Sequence, residues 1–342
     1  MVEMRLQARE GDIIETADHL FFDVKGLVHP LQKIVAFIRF IPDAKGDRKR
    51  ERITYHKVYP LEERYELLRE QFPQYLVFDP VFDEQLCEVP IEAVKHLFKP
   101  AEGLASLRYK DVLDEVEADA LDFAELLKKN ANLSWSKLGI SGSLLVGLHT
   151  SSSDVDPVIY GSENCHKVHA TLKSLMPRKE SPVKPYNREG LKRLFDFRSK
   201  DTVMSLKDFL RTESRKALQG MFKRRDYFIR CVKNWSEIED KYGRVQYKSM
   251  GYAKIKATVM DDSEMIFTPC CYKIAEVKIL EGVHVDPIEE IASFRGRFCE
   301  QARNGETVIA QGKVERVQSD EQMFNRLLLG NRTSDFMVPL ET

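Results

Sequence analysis

The sequence predicts an α/β (α+β) chain with β-rich segments at both ends of a helix-rich middle. Three observations lead there. β-branched and aromatic runs cluster before residue 80, helical periods dominate from 109 to 221, and strand runs return from 226 onward. At 342 residues the chain exceeds one typical domain. Three are expected, with a β-rich N-terminal domain over 1–105, a central domain over 106–265 and a β-rich C-terminal domain over 266–342.

In the N-terminal part, Ile13-Ile14, Leu20-Phe21-Phe22 and the run KIVAFIRFI at 33–41, bounded by Pro30 and Pro42, read as strands. KGDRKRER at 45–52 reads as a solvated turn, with contact to a phosphate as the functional alternative. Pro60 opens an amphipathic helix with Leu61, Tyr65, Leu68 and Phe72 on one face. Residues 109–130 form the longest helical pattern, acidic early and ending in Lys128 and Lys129, as the helix dipole prefers. Further helices are expected at 163–175, 188–195 and 206–221. From Asp226, the runs DYFIRCV, YAKIKATV, MIFTPCCYKI, AEVKIL and ETVIAQGKVERV read as strands.

Composition narrows the function classes. Lys and Arg number 53 against 54 Asp and Glu, so a chain that is basic throughout is excluded and any nucleic-acid role needs a local patch. The six cysteines form no C-x-x-C pair, which suits neither a zinc ribbon nor a disulfide framework. They read as reduced thiols. The polar N-terminus and the lack of an apolar run near the roughly 20 residues of a membrane span predict a cytoplasmic protein without a membrane partner.

The informative segment is KLGISGSLLVGLHTSSSDVDPVIYG at 137–161, which reads as strand, tight turn, short helix, Ser-rich loop and strand. Gly142 can adopt backbone angles closed to other residues and lets a phosphate approach the main chain. Ser143 stands where a helix begins, so its hydroxyl and the free amides there can hold an anion. Ten residues separate Ser143 from Asp154. Asp154 and Asp156, at i and i+2 on a strand, point to one face roughly 7 Å apart. Magnesium prefers such oxygen ligands together with substrate phosphates.

Gly142-Ser143, Gly147 and Ser153-Asp154-Val155-Asp156 together resemble the signature of the DNA polymerase beta-like nucleotidyltransferase superfamily. More narrowly, GSLLVG followed by SDVDPVIYG is similar to the archaeal-type predicted nucleotidyltransferases of unassigned substrate. The resemblance implies a nucleotidyltransferase core in the central domain, a mixed sheet with flanking helices. It implies transfer of a nucleoside monophosphate from an NTP such as ATP to a hydroxyl, with release of pyrophosphate. Asp154, Asp156 and a third acid would hold magnesium or manganese, while Gly142, Ser143 and Ser153 would hold the nucleotide. The third acid is expected at Glu264, which shares a strand face with Asp262. A polar hairpin turn is the plain alternative for Asp261, Asp262 and Glu264. Pro157 departs from the pattern; either the strand is an edge or bulged there, or the second carboxylate is aimed differently, which would bear on activity.

Other candidates have competing plain readings. Lys216, Lys223, Arg224, Arg225, Arg230 and Lys233, interleaved with Phe222, Tyr227 and Phe228, could track a nucleic-acid backbone or form a solvated helix end and strand. Arg295 and Arg297 in SFRGRF could contact phosphate or equally belong to an ordinary strand with Arg out and Phe in. Cys165, His166 and His169 read as surface groups rather than a metal site, and Tyr160 as packing or a base stack. The basic-aromatic stretches favour an RNA 3′ end as acceptor, with a protein hydroxyl or a small molecule as alternatives. A rival reading is a catalytically inactive nucleotidyltransferase-fold protein that binds nucleic acid or nucleotide.

Overall fold

The computed structural model describes residues 6–201 and 203–341. The chain divides into two compact units, one of Met1–Asp79, Gln85–Asn164 and Arg225–Tyr242, the other of Pro80–Glu84, Cys165–Arg224 and Gly243–Thr342. Both are mixtures of strands and helices.

The first unit begins with β1 (Ile13–Thr16), β2 (Phe21–Val24), β3 (Lys33–Pro42), β4 (Arg48–Arg50) and β5 (Ile53–Lys57). After α1 (Leu61–Gln71) come β6 (Leu76–Asp79), β7 (Glu84–Pro90) and β8 (Val94–Phe98). The sheet runs β4-β5-β3-β2-β1-β8, with β7 also on β3 and β6 on β7. Strict alternation along β3 buries Ile34, Ala36 and Ile38 against Ile14, Phe22, Val24 and Leu68. The ladder opposes Phe21 and Phe22 to Phe40 and Ile38, so Arg39 is the extra residue of a bulge. Phe40 thereby turns to a second core with Phe21, Tyr55, Val146 and Leu148.

Next follow α2 (Pro100–Arg108), α3 (Glu115–Asn130), β9 (Leu138–Ile140), α4 (Gly142–Leu145) and β10 (Pro157–Tyr160). The pattern at 109–130 yields a helix only from Glu115. Asp114 accepts from the Val116 and Glu117 amides while Glu117 returns to the Asp114 amide, a capping box that fixes the start. The sequence reading missed α2, in which Gly103 is the disguising residue. A Cβ there would lie 2.5 Å from Leu145 Cδ1, so glycine lets α2 approach α4.

The chain then forms α5 (Ser162–Leu175), β11 (Val183–Lys184), α6 (Arg188–Arg198), α7 (Leu206–Glu213) and β12 (Gln219–Phe222), before β13 (Arg225–Phe228) and β14 (Arg230–Val232). The helix expected over 206–221 stops at Glu213. The Ala217 and Leu218 amides donate to the buried Glu300 carboxylate instead of to helix carbonyls. β10 is central in a small sheet, antiparallel to β9 and parallel to β14. It is therefore not the edge strand expected from Pro157, which occupies the strand's first position, where proline is tolerated.

In the second unit, β15 (Gln246–Asp261), β16 (Cys270–Gly282), β17 (Ile288–Ser293), β18 (Thr307–Gln318), β19 (Met323–Leu329) and β20 (Phe336–Pro339) pair in the order β15-β16-β17-β19-β18-β20. β15 also pairs with β18, so five of the strands close into a ring, leaving them no open edge. The C-terminal β-rich part thus begins at Gln246, and the boundary expected at 265/266 falls in the turn between two paired strands. Likewise, residues on both sides of 105/106 belong to the first unit. Among the described residues no helix is long and apolar enough to cross a membrane.

Candidate functional site

The site is built where β9 passes through α4 and a Ser-rich loop to β10. Ser141 N donates to the Asp156 carbonyl oxygen at 2.9 Å, tying the end of β9 to the start of β10. Gly142 then takes φ +67°, and a Cβ on it would sit 2.1 Å from Asp156 Oδ2. Glycine is required here twice, by its backbone angle and by the closeness of a carboxylate. Ser143 Oγ donates to Ser153 Oγ at 3.3 Å, and Ser153 Oγ accepts from the Thr150 amide at 2.9 Å. α4 is only four residues long, so the expected helix-end anion site is reduced to these hydroxyls. The structure thus gathers Gly142, Ser143, Ser153 and Asp156 beside half-buried Asp154.

The carboxylates are enclosed by charge. Asp156 is buried, and burial first, then the neighbouring Asp154 charge, push its carboxyl up to about 7 against the pull of Arg230, Arg39 and Lys57. Lys57 is pushed down to about 8 by burial and by Arg39, while Asp154 and Asp156 draw it back up. Arg230 lies on β14, paired with Glu10 at 2.8 Å; the bulged Arg39 pairs with Asp23 at 3.5 Å. Arg48 Nη1 donates to the Leu148 carbonyl at 2.6 Å and to Ser153 Oγ at 3.5 Å. The KGDRKRER segment is therefore partly strand β4, and Arg48 turns inward with only 11% of its side chain exposed.

Glu264 lies in the second unit, in the turn between β15 and β16, on no strand adjacent to β10. That turn has the features of a polar hairpin: Ser263 N donates to Asp261 Oδ1 at 2.8 Å and Met265 N to the Asp262 carbonyl. A carboxylate that sequence reasoning missed is exposed Asp226 on β13. Val155 bridges Tyr227 in parallel, which puts Asp226 on the same face as Asp154. Only the parallel register reveals it.

Several of the remaining candidates have structural partners, and Lys223 and Arg224 are exposed. Arg225 pairs with Asp119 and donates to the Ser151 and Ser153 carbonyls, while Lys216 is buried against Glu213. Arg295 and Arg297 both bond Asp201. His169, expected at the surface, is buried and 2.7 Å from Glu300. Tyr160 is buried beneath the Arg9 guanidinium, 4.0 Å from its ring centre. All six cysteines are free thiols. Asp114, Glu117 and His149 also converge, but the capping box, Lys110 on Glu117 and the 2.7 Å His149–Asp114 contact account for that cluster.

No family model matches the chain. No solved structure matches it either. An uncharacterized protein of Methanocaldococcus jannaschii, MJ1086, is 30% identical to it over 340 residues, spanning 97% of this chain and 98% of that protein. Similarity of that degree along the full length of both chains places this protein in the same family as MJ1086.

Proposed function

We propose that the protein is a magnesium-dependent nucleotidyltransferase built on a polymerase beta-like core, transferring a nucleoside monophosphate from an NTP to a hydroxyl acceptor. The observation that carries this reading is the seat of Asp156 against Gly142, where glycine is required, with Asp154 two residues away; both aspartates lie in the segment just before β10 rather than on the strand expected from the sequence. The two carboxylates and the bonded Ser143 and Ser153 hydroxyls are all oxygen donors, the chemistry magnesium prefers. Asp154 and Asp156 would hold the ion, with Asp226 as the candidate third carboxylate. Bound there, magnesium would supply charge stabilisation for the acceptor oxygen and the departing pyrophosphate. Ser143 and Ser153 would hold phosphate oxygens, and the burial of Asp156 keeps water from its carboxylate.

The test incubates purified protein with magnesium and each α-labelled NTP, offering cellular RNA and protein as acceptors. Wild type is expected to incorporate label and Asp154→Asn to lose incorporation. Nuclease or protease release then names the acceptor, with RNA the favoured outcome. Magnesium-dependent NTP binding is measured in parallel. Absence of both labelling and NTP binding would refute the reading; binding without labelling, unchanged in Asp154→Asn, would favour a binding module without turnover.

A further inference from the structure

Four cations stand around the site, three of them on the N-terminal sheet. Arg39, Arg48 and Lys57 come from β3, β4 and β5, and Arg230 from β14. Two of the four have close protein counter-charges, Arg39 with Asp23 and Arg230 with Glu10. The other two do not. Among the described residues Arg48 reaches a carboxylate only at 4.0 Å, on Asp47, whose side chain is 70% exposed, and its buried Nε has no hydrogen-bond partner there. Lys57 makes no ion pair among the described residues, and its Nζ lies 5.6 Å from the Tyr59 ring centre. Pairing of Arg48 with Tyr55 in the β4–β5 ladder, and of Phe40 with Lys57 in the β3–β5 ladder, puts both cations on the face of Phe40 and Tyr55. That face packs on Val146 and Leu148, the residues that follow α4.

Burying or half-burying an unpaired cation is costly unless something anionic meets it. Asp154 and Asp156 are among the negative charges that act on Lys57, and Asp154 acts on Arg48. If they hold a divalent cation, Arg48 and Lys57 lose those counter-charges, and a polyanion seated between the metal and the sheet would restore the balance. Arg48 already touches Ser153, which is bonded to Ser143, so its guanidinium borders the hydroxyls assigned to phosphate. We propose that Arg48 and Lys57 of the N-terminal sheet form the wall that receives the triphosphate of the nucleotide, making this sheet part of the nucleotide site. The inference rests on the nucleotidyltransferase reading. It assigns to Lys57 the role of a mobile point charge and to Arg48 that of a fixed fork anchored on Leu148.

The experiment measures equilibrium binding of ATP and of inorganic tripolyphosphate, each with magnesium, to the full chain. Wild type, Lys57→Gln, Arg48→Gln and Lys57→Arg are compared, with tryptophan fluorescence and thermal unfolding confirming the fold. Loss of one charge-assisted contact is expected to weaken both ligands about 10-fold or more in each Gln variant. Lys57→Arg should restore most of the affinity, and tripolyphosphate should compete with ATP. Magnesium-dependent ATP binding that is undiminished in both Gln variants would overturn the triphosphate wall while leaving the nucleotide site intact. Failure of wild type to bind ATP or any other NTP would overturn the underlying reading as well. Should Lys57→Gln not fold, Arg48→Gln carries the same decision.

Discussion

Replacing Gly142 with alanine tests the geometry of the site without touching a charged group. Two costs arise in the structure. Alanine at φ +67° must occupy the left-handed region, at roughly 1–2 kcal/mol. Its Cβ would also stand 2.1 Å from Oδ2 and 3.1 Å from Cγ of Asp156, so a buried side chain has to move, for roughly 1–3 kcal/mol more. The expected total is about 2–5 kcal/mol. Both tryptophans, Trp135 and Trp235, belong to the first unit, so tryptophan fluorescence during urea unfolding reports on that unit. The decisive comparison is a double-mutant cycle with Asp156→Ala, which removes the colliding carboxylate. In that background Gly142→Ala should cost only the backbone part, about 1–2 kcal/mol. Equal costs in the two backgrounds would show that the Asp156 carboxylate does not press on Gly142, and the reasoning would fail.

Three further outcomes are expected. Magnesium with ATP at about 100 times its Kd should stabilise the wild type by about 2.7 kcal/mol in thermal unfolding; Asp154→Asn should abolish the shift, and an unchanged shift would remove Asp154 from the site. Burial pushes the Asp12 carboxyl up to about 7, so the folded state favours its neutral form. This stability is complete below pH 3.8 and is lost as pH rises through 7, so Asp12→Asn should gain on wild type across that window in fluorescence-monitored urea unfolding. Glu300 accepts from the Ala217 and Leu218 amides and meets His169, which together outweigh the burial that acts first to raise it and hold its carboxyl below the usual range. Its contribution is present above the ordinary glutamate value of 4.5 and lost as pH falls through the lower folded value. Glu300→Gln should cost about 3 kcal/mol near neutral pH, seen as faster amide exchange at Ala217 and Leu218, with the difference shrinking in acid.

What could be read in advance depended on how far each contact lies along the chain. Gly142, Ser143 and Ser153–Asp156 fall within fifteen consecutive residues, so their chemistry and the strand-turn-helix-strand pattern are visible locally. The β3 alternation was legible for the same reason, since one strand carries its whole signal. The end of the 206–221 helix was not, because its missing carbonyl partners are replaced by Glu300, more than eighty residues away. His169 was misread as a surface group for the same cause, being the other partner of that carboxylate. The division at 265/266 failed to anticipate that β15 pairs along its length with β18 as well as β16, a register that no property of 246–265 encodes by itself.

The cations around the aspartates show this limit most sharply, and they also bear on how the site is assembled. Lys57 stands 97 positions before Asp154 in a segment that reads as an ordinary strand, and Arg48 belongs to a run of charges whose commonest fate is solvation. Their placement follows from two non-local facts. The bulge at Arg39 turns Phe40 onto the face it shares with Tyr55, and that face closes over Val146 and Leu148. The hydrophobic contact that stabilises the first unit is therefore also what brings Arg48 to Ser153. A change that loosens this core, such as Leu148→Ala, should weaken tripolyphosphate binding together with stability, although it alters no charged group. Wild-type affinity in a Leu148→Ala protein destabilised by the about 2–5 kcal/mol typical of such a cavity would show that the cations are positioned some other way.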